Sequence, residues 1–101
     1  MHFPTKGEFS RQVDKVFRVM AAESPSFDLA LVRLNDIADS ESQETFSLVF
    51  QGPIDAPAVQ SIYSVENDDL GQLDLFLVPV ERNEKGPVFE AIFNRLKRSE
   101  Q

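Results

Sequence analysis

The chain has 101 residues, of which 42% are hydrophobic and 27% are charged, a composition typical of one globular domain. Its 10 basic and 17 acidic residues give a net charge of −7, which opposes binding to nucleic-acid phosphates and to anionic lipid. The absence of cysteine excludes disulfides, thiolate metal sites and thiol nucleophiles.

The N-terminal residues and the hydropathy of the chain predict the compartment in which the protein resides. Residues 1–8 lack the apolar run of a secretory signal, and no apolar stretch approaches the ~20 residues of a membrane-spanning helix. Together with the lack of cysteine, these features predict a cytoplasmic protein. We expect a single domain over residues 1–101, with a core over about residues 9–94 and a polar tail over residues 95–101.

The first half of the chain predicts a short helix followed by three strands. Phe9 and Val13 are spaced i, i+4 within Glu8–Val13, so a helix there would place both side chains on the core and cap one end of the fold. A turn is expected over Ala22–Ser26. The strands are predicted over Lys15–Met20, Phe27–Leu34 and Thr45–Gln51. Apolar residues change face after Leu31, which predicts a β-bulge near Leu31–Arg33.

An acidic segment, Asn35–Glu44, separates the second and third predicted strands. Its Asp, Ser and Glu residues predict a solvated loop. Calcium binding is the alternative, because Asp36, Asp39, Glu41 and Glu44 carry the carboxylate oxygens that calcium prefers. Their spacing does not match the twelve-residue calcium-binding loop, and the glycine which that loop requires is missing.

The second half of the chain predicts three more strands, over Val59–Glu66, Leu70–Val80 and Pro87–Asn94. The stretch Leu70–Val80 is the most apolar in the chain and is apolar on both alternating faces. A strand of this kind is expected at the centre of a sheet that is covered on both sides. Gly71 ends a turn over Asn67–Gly71 and is expected to need a positive φ, and Glu81–Gly86 is expected to be a hairpin loop.

These elements predict a mostly β fold: a small antiparallel β-barrel or strongly twisted sheet of about six strands, with a short N-terminal helix. The third predicted strand, Thr45–Gln51, shows apolar residues on one face only. The last three strands have short connections and are expected to form a meander.

Four segments of the chain resemble a family of bacterial single-domain proteins of about a hundred residues, classed as a domain of unknown function. They are Phe46–Pro53, Tyr63–Glu66, Leu70–Val80 and Phe89–Asn94, and the patterns FxGP and LGxLxLFLVPV are their most specific parts. The resemblance covers about residues 9–94. It implies a small, mostly β domain, supplies no catalytic residue, and loosely implies an accessory role in phage-tail-like structures. The histidine that family members often carry after the fourth-strand Glu is Asn67 here.

Residue types that perform catalysis are sparse, and we assign no catalytic, cofactor-binding or metal-binding residue. His2 is the only histidine and lies at the terminus, which argues against a fixed catalytic triad. Asp74 and Glu90 are expected on neighbouring strands and are the one carboxylate pair that could act as the two catalytic acids of a glycosidase. We expect instead that Asp74 lies at the solvent-exposed end of its strand. Tyr63 is expected to pack in the core rather than stack on nucleic-acid bases.

The sequence therefore predicts a non-enzymatic interaction or assembly-accessory domain with an unidentified protein partner. Its expected contact surfaces are sheet edges and the loops Asn35–Glu44 and Pro53–Ala58. The alternative is a small-ligand-binding β-barrel, and a carboxylate hydrolase is a weaker third reading. Ligand binding predicts a pocket of about 300 Å³ or more with convergent polar groups. An interaction domain predicts instead an exposed apolar patch or an open strand edge.

Overall fold

A computed structural model describes residues 3–20 and 26–96 and shows six β-strands and one short helix in them. The helix is α1, Lys6–Ser10, and it is far too short to cross a membrane. In chain order the strands are β1 (Val16–Val19), β2 (Phe27–Asp39), β3 (Gln43–Gln51), β4 (Ser61–Asn67), β5 (Gly71–Asn83) and β6 (Gly86–Leu96). The predicted mostly β fold with a short N-terminal helix is confirmed. The predicted turn over Ala22–Ser26 lies, except for Ser26, outside the described residues.

The six strands form a closed ring in the order β1–β2–β3–β6–β5–β4, in which every neighbouring pair, including β4 and β1, is antiparallel. We call this arrangement the strand ring. Two of its strands change partner along their length: β5 pairs with β4 through residues 71–77 and with β6 through residues 78–83, and β2 passes from β1 to β3 at Ala30. The predicted meander of the last three strands is confirmed.

Strand β2 is longer than predicted and replaces half of the predicted acidic loop. The prediction of a loop over Asn35–Glu44 is wrong, because β2 runs to Asp39 and β3 starts at Gln43, which leaves only residues 40–42 as the connection. Register shifts between Leu31 and Arg33 and between Asp36 and Ala38 keep this irregular sequence paired with β3. The first shift confirms the predicted bulge.

Phenylalanine fills the interior of the strand ring. Five phenylalanines are completely buried: Phe9, Phe17, Phe46, Phe50 and Phe89. The rings of Phe17 and Phe50 meet edge-on with centroids 5.3 Å apart, and Tyr63 meets Phe89 in the same way at 6.0 Å. Each buried phenylalanine removes about 150–250 Å² of mostly apolar surface from water, so these five dominate the core energetics.

The helix α1 begins at a capping box and is anchored by one aromatic side chain. The Glu8 N–H donates to the Thr5 hydroxyl at 3.1 Å, and the Thr5 N–H donates to the Glu8 carboxylate at 2.9 Å. A helix this short is not stable alone. Phe9 holds it to the sheet, stacking on Phe93 with centroids 5.5 Å apart. The predicted placement of Phe9 on the core is confirmed, and Val13 packs against the same core.

The last strand continues further than predicted. Arg95 and Leu96 belong to β6 and pair with Glu44 and Gln43 of β3, so the prediction of a polar tail from residue 95 is wrong at these two positions. The Arg95 guanidinium lies over the rings of Phe46 and Phe93, at 5.2 and 5.4 Å from their centroids. It also donates to the Pro4 carbonyl at 2.7 Å. These contacts hold the end of β6 against the segment that precedes α1.

The hairpin between β5 and β6 is tighter than the predicted loop Glu81–Gly86. Asn83 pairs with Gly86, so only residues 84–85 form the turn, and the Asn83 side-chain carbonyl accepts from the N–H groups of Lys85 and Gly86. Gly86 has φ 139°, and a Cβ there would lie 2.5 Å from the Gly52 carbonyl oxygen. Only glycine allows the β3 exit to pass this close to the start of β6.

Two burial predictions are wrong in opposite directions. Strand β5 was predicted to be buried on both faces, but Phe76 and Val80 are 52% and 51% exposed while Leu75 and Leu77 are buried. The reason is that the strand ring is one layer thick: its interior takes one face of each strand, and no described element covers the outside of β5. Strand β3 was predicted to be one-sided, yet its outward Ser47 and Val49 are buried between the side chains of β2 and β6.

The turn before β5 supports a specific test, because Gly71 has φ +78° and no atom lies within 4 Å of the position of an added Cβ. We expect Gly71→Val to lower the free energy of unfolding by about 1–2 kcal/mol through backbone strain alone. Gly71→Asn, which tolerates this conformation better, should lose less. Urea denaturation of the two variants and the native chain measures the difference, and equal midpoints for Val and Asn would contradict the assigned turn.

Candidate interaction surface

Exposed apolar side chains gather on the outside of β4, β5 and β6. Ile62, Phe76 and Ile92 are 67%, 52% and 62% exposed, although all three belong to regular strands. Val78 is half-buried on the same side of β5, and Val80 is exposed at the bulge that follows. We call these five residues the outer apolar face.

The strand register explains why these side chains share one face. Ile62 lies directly opposite Phe76 in the β4–β5 ladder, so their side chains are neighbours. Val78 follows Phe76 by two positions and lies opposite Glu90 of β6, and Ile92 follows Glu90 by two positions. Because side chains alternate along a strand, all of them point away from the interior that holds Leu75 and Leu77.

This surface is not evident from the sequence, because the apolar pattern of Leu70–Val80 predicts that Phe76, Val78 and Val80 form a second buried face. The sequence of the neighbouring strand, β4, does indicate that this side of the sheet is uncovered. Ile62 shares its face of β4 with Ser64 and Glu66 and is the one large apolar residue there. A strand with so little apolar material on that face does not belong to a second core layer.

The charged side chains that β4, β5 and β6 place beside the outer apolar face are acidic. They are Glu66, Asp74 and Glu90, and residues 61–67, 71–80 and 86–94 of these strands include no lysine or arginine. The Ser64 hydroxyl donates to Asp74 at 2.8 Å, and Arg18 of β1 lies 3.4 Å from Glu66. The face is therefore apolar in the middle and acidic at its margin.

A groove of about 730 Å³ lies beside the outer apolar face, on the outside of β1, β4 and β5. Its lining includes Arg18, Met20, Ser64, Glu66, Gln72 and Asp74. Several of these groups already bond to one another: Arg18 pairs with Glu66 and lies 3.8 Å from Asp28, and the Gln72 amide lies 3.6 Å from the Met20 sulfur. The groove is larger than the minimum of about 300 Å³ expected for a ligand pocket. It lies on the outside of the strand ring and not at its mouth.

A second groove, of about 510 Å³, involves the predicted contact loop Pro53–Ala58. It is bounded by Pro53, Asp55, Ala56 and Pro57 on one side and by the start of β2 on the other. The Ala56 N–H donates to the Pro53 carbonyl at 3.0 Å and Ala56 is buried, so the loop is a compact turn against the strand ring. Ile54 at its tip is exposed.

The carboxylates considered for calcium surround a lysine. The Lys6 ammonium lies 2.7 Å from Asp36, 3.5 Å from Asp39 and 4.0 Å from Glu44. The hydrogen bond with Asp36 raises the pKa of Lys6 above its usual value; desolvation opposes this rise, and the charges of Asp36 and Asp39 add to it. Three of the four predicted oxygen donors therefore hold a side-chain cation, and Glu41 lies in the connecting turn. Among the described residues no group of three or more acidic or histidine side chains is arranged to hold a metal.

The carboxylates Asp74 and Glu90 are not placed as a glycosidase pair. Asp74 and Glu90 lie on neighbouring strands, as expected, and both point outward. Glu90 is opposite Val78, four residues beyond Asp74, which puts the two carboxylates roughly 13 Å apart along the sheet. This exceeds the roughly 5–9.5 Å separation of glycosidase pairs. His2 lies outside the described residues.

Comparisons with known proteins agree with the resemblance noted from the sequence. A family model described as a domain of unknown function, DUF6916, matches residues 4–93. This match confirms the recognition of a single-domain family without an assigned function. No curated protein and no solved structure matches the chain.

Tyr63 lies beneath the outer apolar face and gives a direct optical test of the inward side of β4. Burial raises the pKa of its phenol, and the phenol hydroxyl donates a hydrogen bond to the Val59 carbonyl. Since Tyr63 is the only tyrosine and tryptophan is absent, absorbance at 295 nm reports this group alone. We expect the pKa of Tyr63 in the folded protein to be higher than in the urea-unfolded chain, where it should be about 10.

The same shift predicts how stability depends on pH. A phenol whose pKa is higher in the folded state stabilises the fold fully below pH of about 10, and this contribution is lost as pH rises through the folded pKa. Tyr63→Phe should show a smaller loss of stability above pH 10 than the native chain. Identical titration curves for the folded and unfolded protein would contradict the buried position of Tyr63.

Proposed function

We propose that this chain, which belongs to the DUF6916 family, is a non-enzymatic interaction domain that binds a partner protein through the outer apolar face. The observation that supports the proposal is that Ile62, Phe76 and Ile92 are more than half exposed on one side of adjoining strands. Single exposed apolar residues are common on monomers, whereas a group of them on one face is typical of a contact surface.

The rigidity of this face also favours binding. Its side chains project from paired strands over a filled core, so little conformational entropy is lost when a partner orders them. Phe76 has the large, stiff apolar surface that often dominates interface energetics, and Ile62 directly opposite extends the same surface. A partner that covers both gains about 25 cal/mol for each Å² of apolar surface removed from water.

The wider role we propose is that of an assembly-accessory domain acting in the cytoplasm. The loose link of similar sequences to phage-tail-like structures suggests which class of assembly to examine first. A stable scaffold that presents one apolar face suits such a role, because the fold needs no partner to complete its own core.

A second candidate function is the binding of a small ligand in the groove of about 730 Å³. The observation in its favour is the convergence of Arg18, Glu66 and Asp74 with the amide of Gln72 in one concave surface. The groove has less support than the outer apolar face because Arg18 already pairs with Glu66 and Asp74 already accepts a hydrogen bond from Ser64. A thermal-shift screen of small polar molecules, repeated on Arg18→Met, tests this function separately.

The test of the proposed function compares two isoleucines of similar exposure. Ile62 is 67% exposed on the outer apolar face, and Ile37 is 55% exposed on β2. Tagged native protein, Ile62→Asn and Ile37→Asn are used to capture partners from a lysate of the source organism, with recovered proteins quantified by mass spectrometry. We expect a stoichiometric partner whose recovery falls about tenfold or more with Ile62→Asn and is unchanged with Ile37→Asn.

Two results would contradict the proposed function. One is a partner that is retained by Ile62→Asn, since binding would then use another surface. The other is the absence of any stoichiometric partner together with a ligand-induced thermal shift that Arg18→Met abolishes, which would favour the groove instead. Circular dichroism of both asparagine variants checks that the fold is intact.

A further inference from the structure

The margin of the outer apolar face has a charge pattern that specifies the chemistry of its partner. Asp74 lies two positions before Phe76 on the same side of β5, about 7 Å along the strand. Glu90 lies directly opposite Val78. Carboxylates therefore adjoin the apolar side chains at two separate points, and residues 61–67, 71–80 and 86–94 of these strands include no lysine or arginine.

These two carboxylates keep their negative charge available to a partner. Within residues 3–20 and 26–96, neither Asp74 nor Glu90 forms an ion pair, and the contact from Ser64 to Asp74 is a neutral hydrogen bond. The nearby Arg18 is shared between Glu66 and Asp28, and Arg82 donates to the Ile54 carbonyl at 2.8 Å. The basic groups around the face are thus already engaged elsewhere.

We propose that the outer apolar face binds a protein segment in which apolar side chains are flanked by lysine or arginine. This inference rests on the proposed function and adds the chemical class of the partner. Apolar side chains of the segment would cover Ile62 and Phe76, and its basic side chains would reach Asp74 and Glu90. Covering the face excludes water from its margin, which strengthens each of these charge contacts.

The same charges disfavour the other occupants. In a symmetric contact between two copies, Asp74 and Glu90 of one chain would meet carboxylates of the other, in a protein of net charge −7. Anionic lipid and nucleic acid are repelled for the same reason. A basic, apolar protein segment is the occupant that satisfies both the apolar centre and the acidic margin.

The experiment selects binders without assuming a natural partner. A display library of random twelve-residue peptides is panned on the intact native protein, and peptides that bind it but not Ile62→Asn are sequenced. We expect lysine and arginine to be enriched next to apolar residues in this set. Binding of the best peptides is then measured by fluorescence anisotropy against the double variant Asp74→Asn/Glu90→Gln.

The matched control is the double variant Asp55→Asn/Glu84→Gln, which removes the same charge from exposed positions in the Pro53–Ala58 loop and the β5–β6 turn. Removing the charges of Asp74 and Glu90 should weaken binding roughly three- to tenfold and flatten its dependence on salt, whereas the control variant should retain native affinity. Sedimentation of the native protein should show a monomer at concentrations at which the peptides bind.

The outcomes separate this inference from the proposed function. Peptides that need Ile62 but lack basic residues and bind the Asp74→Asn/Glu90→Gln variant normally would overturn the inference and leave the proposed function standing. Self-association that Ile62→Asn abolishes would overturn the inference in favour of a second copy. A selection that yields only peptides indifferent to Ile62→Asn would overturn both.

Discussion

The fixed volume inside the strand ring is the constraint on which the rest of the structure depends. Six strands in a closed ring enclose a space that side chains from one face of each strand fill completely. Here phenylalanines and leucines occupy that space, with Phe17 against Phe50 and Tyr63 against Phe89. Apolar side chains on the opposite faces have no interior to enter. Unless neighbouring side chains or another element cover them, as the side chains of β2 and β6 cover Val49, they remain at the surface, which is where Phe76 and Ile62 lie.

This constraint shows how much of the structure could be predicted from the sequence. Apolar alternation, strand-forming residues and the apolar run Leu70–Val80 correctly indicated the six strands, the face change at Leu31 located the first bulge, and the i, i+4 spacing indicated the anchoring role of Phe9. These signals succeed because they depend only on neighbours along the chain. Gly71 at a positive φ is a similarly local feature.

The errors arose wherever tertiary pairing overrides the local pattern. Residues 35–39 look like a polar loop, but pairing with β3 keeps them in a strand whose far end can be polar because it is exposed. Arg95 looks like part of a tail, but aromatic rings on β3 and β6 hold it. The candidate surface was missed for the same reason: whether a second apolar face is covered depends on the number of layers, which no single strand reveals.

The acidic residues of the chain fall into two different settings. At the far end of β2 and β3, Asp36, Asp39 and Glu44 surround Lys6, Glu44 also lies 4.0 Å from Arg95, and this cluster helps to hold the N-terminal segment on the sheet. Asp74 and Glu90 lie beside exposed apolar residues and form no ion pair with any basic group in the described part of the chain. The first setting completes the fold, whereas the second leaves charge and apolar surface together on one side of the molecule, and this contrast is the basis of the proposed function.

The most direct test of an uncovered outer apolar face is the solvent exposure of individual aromatic and isoleucine side chains, measured by NMR with a soluble paramagnetic agent. An uncovered face predicts strong broadening of the Phe76, Ile62 and Ile92 side-chain signals, whereas the signals of Phe17 and Phe50 stay sharp. Equal protection of Phe76 and Phe50 would contradict it, because the outside of β5 would then be covered and no outer apolar face would exist.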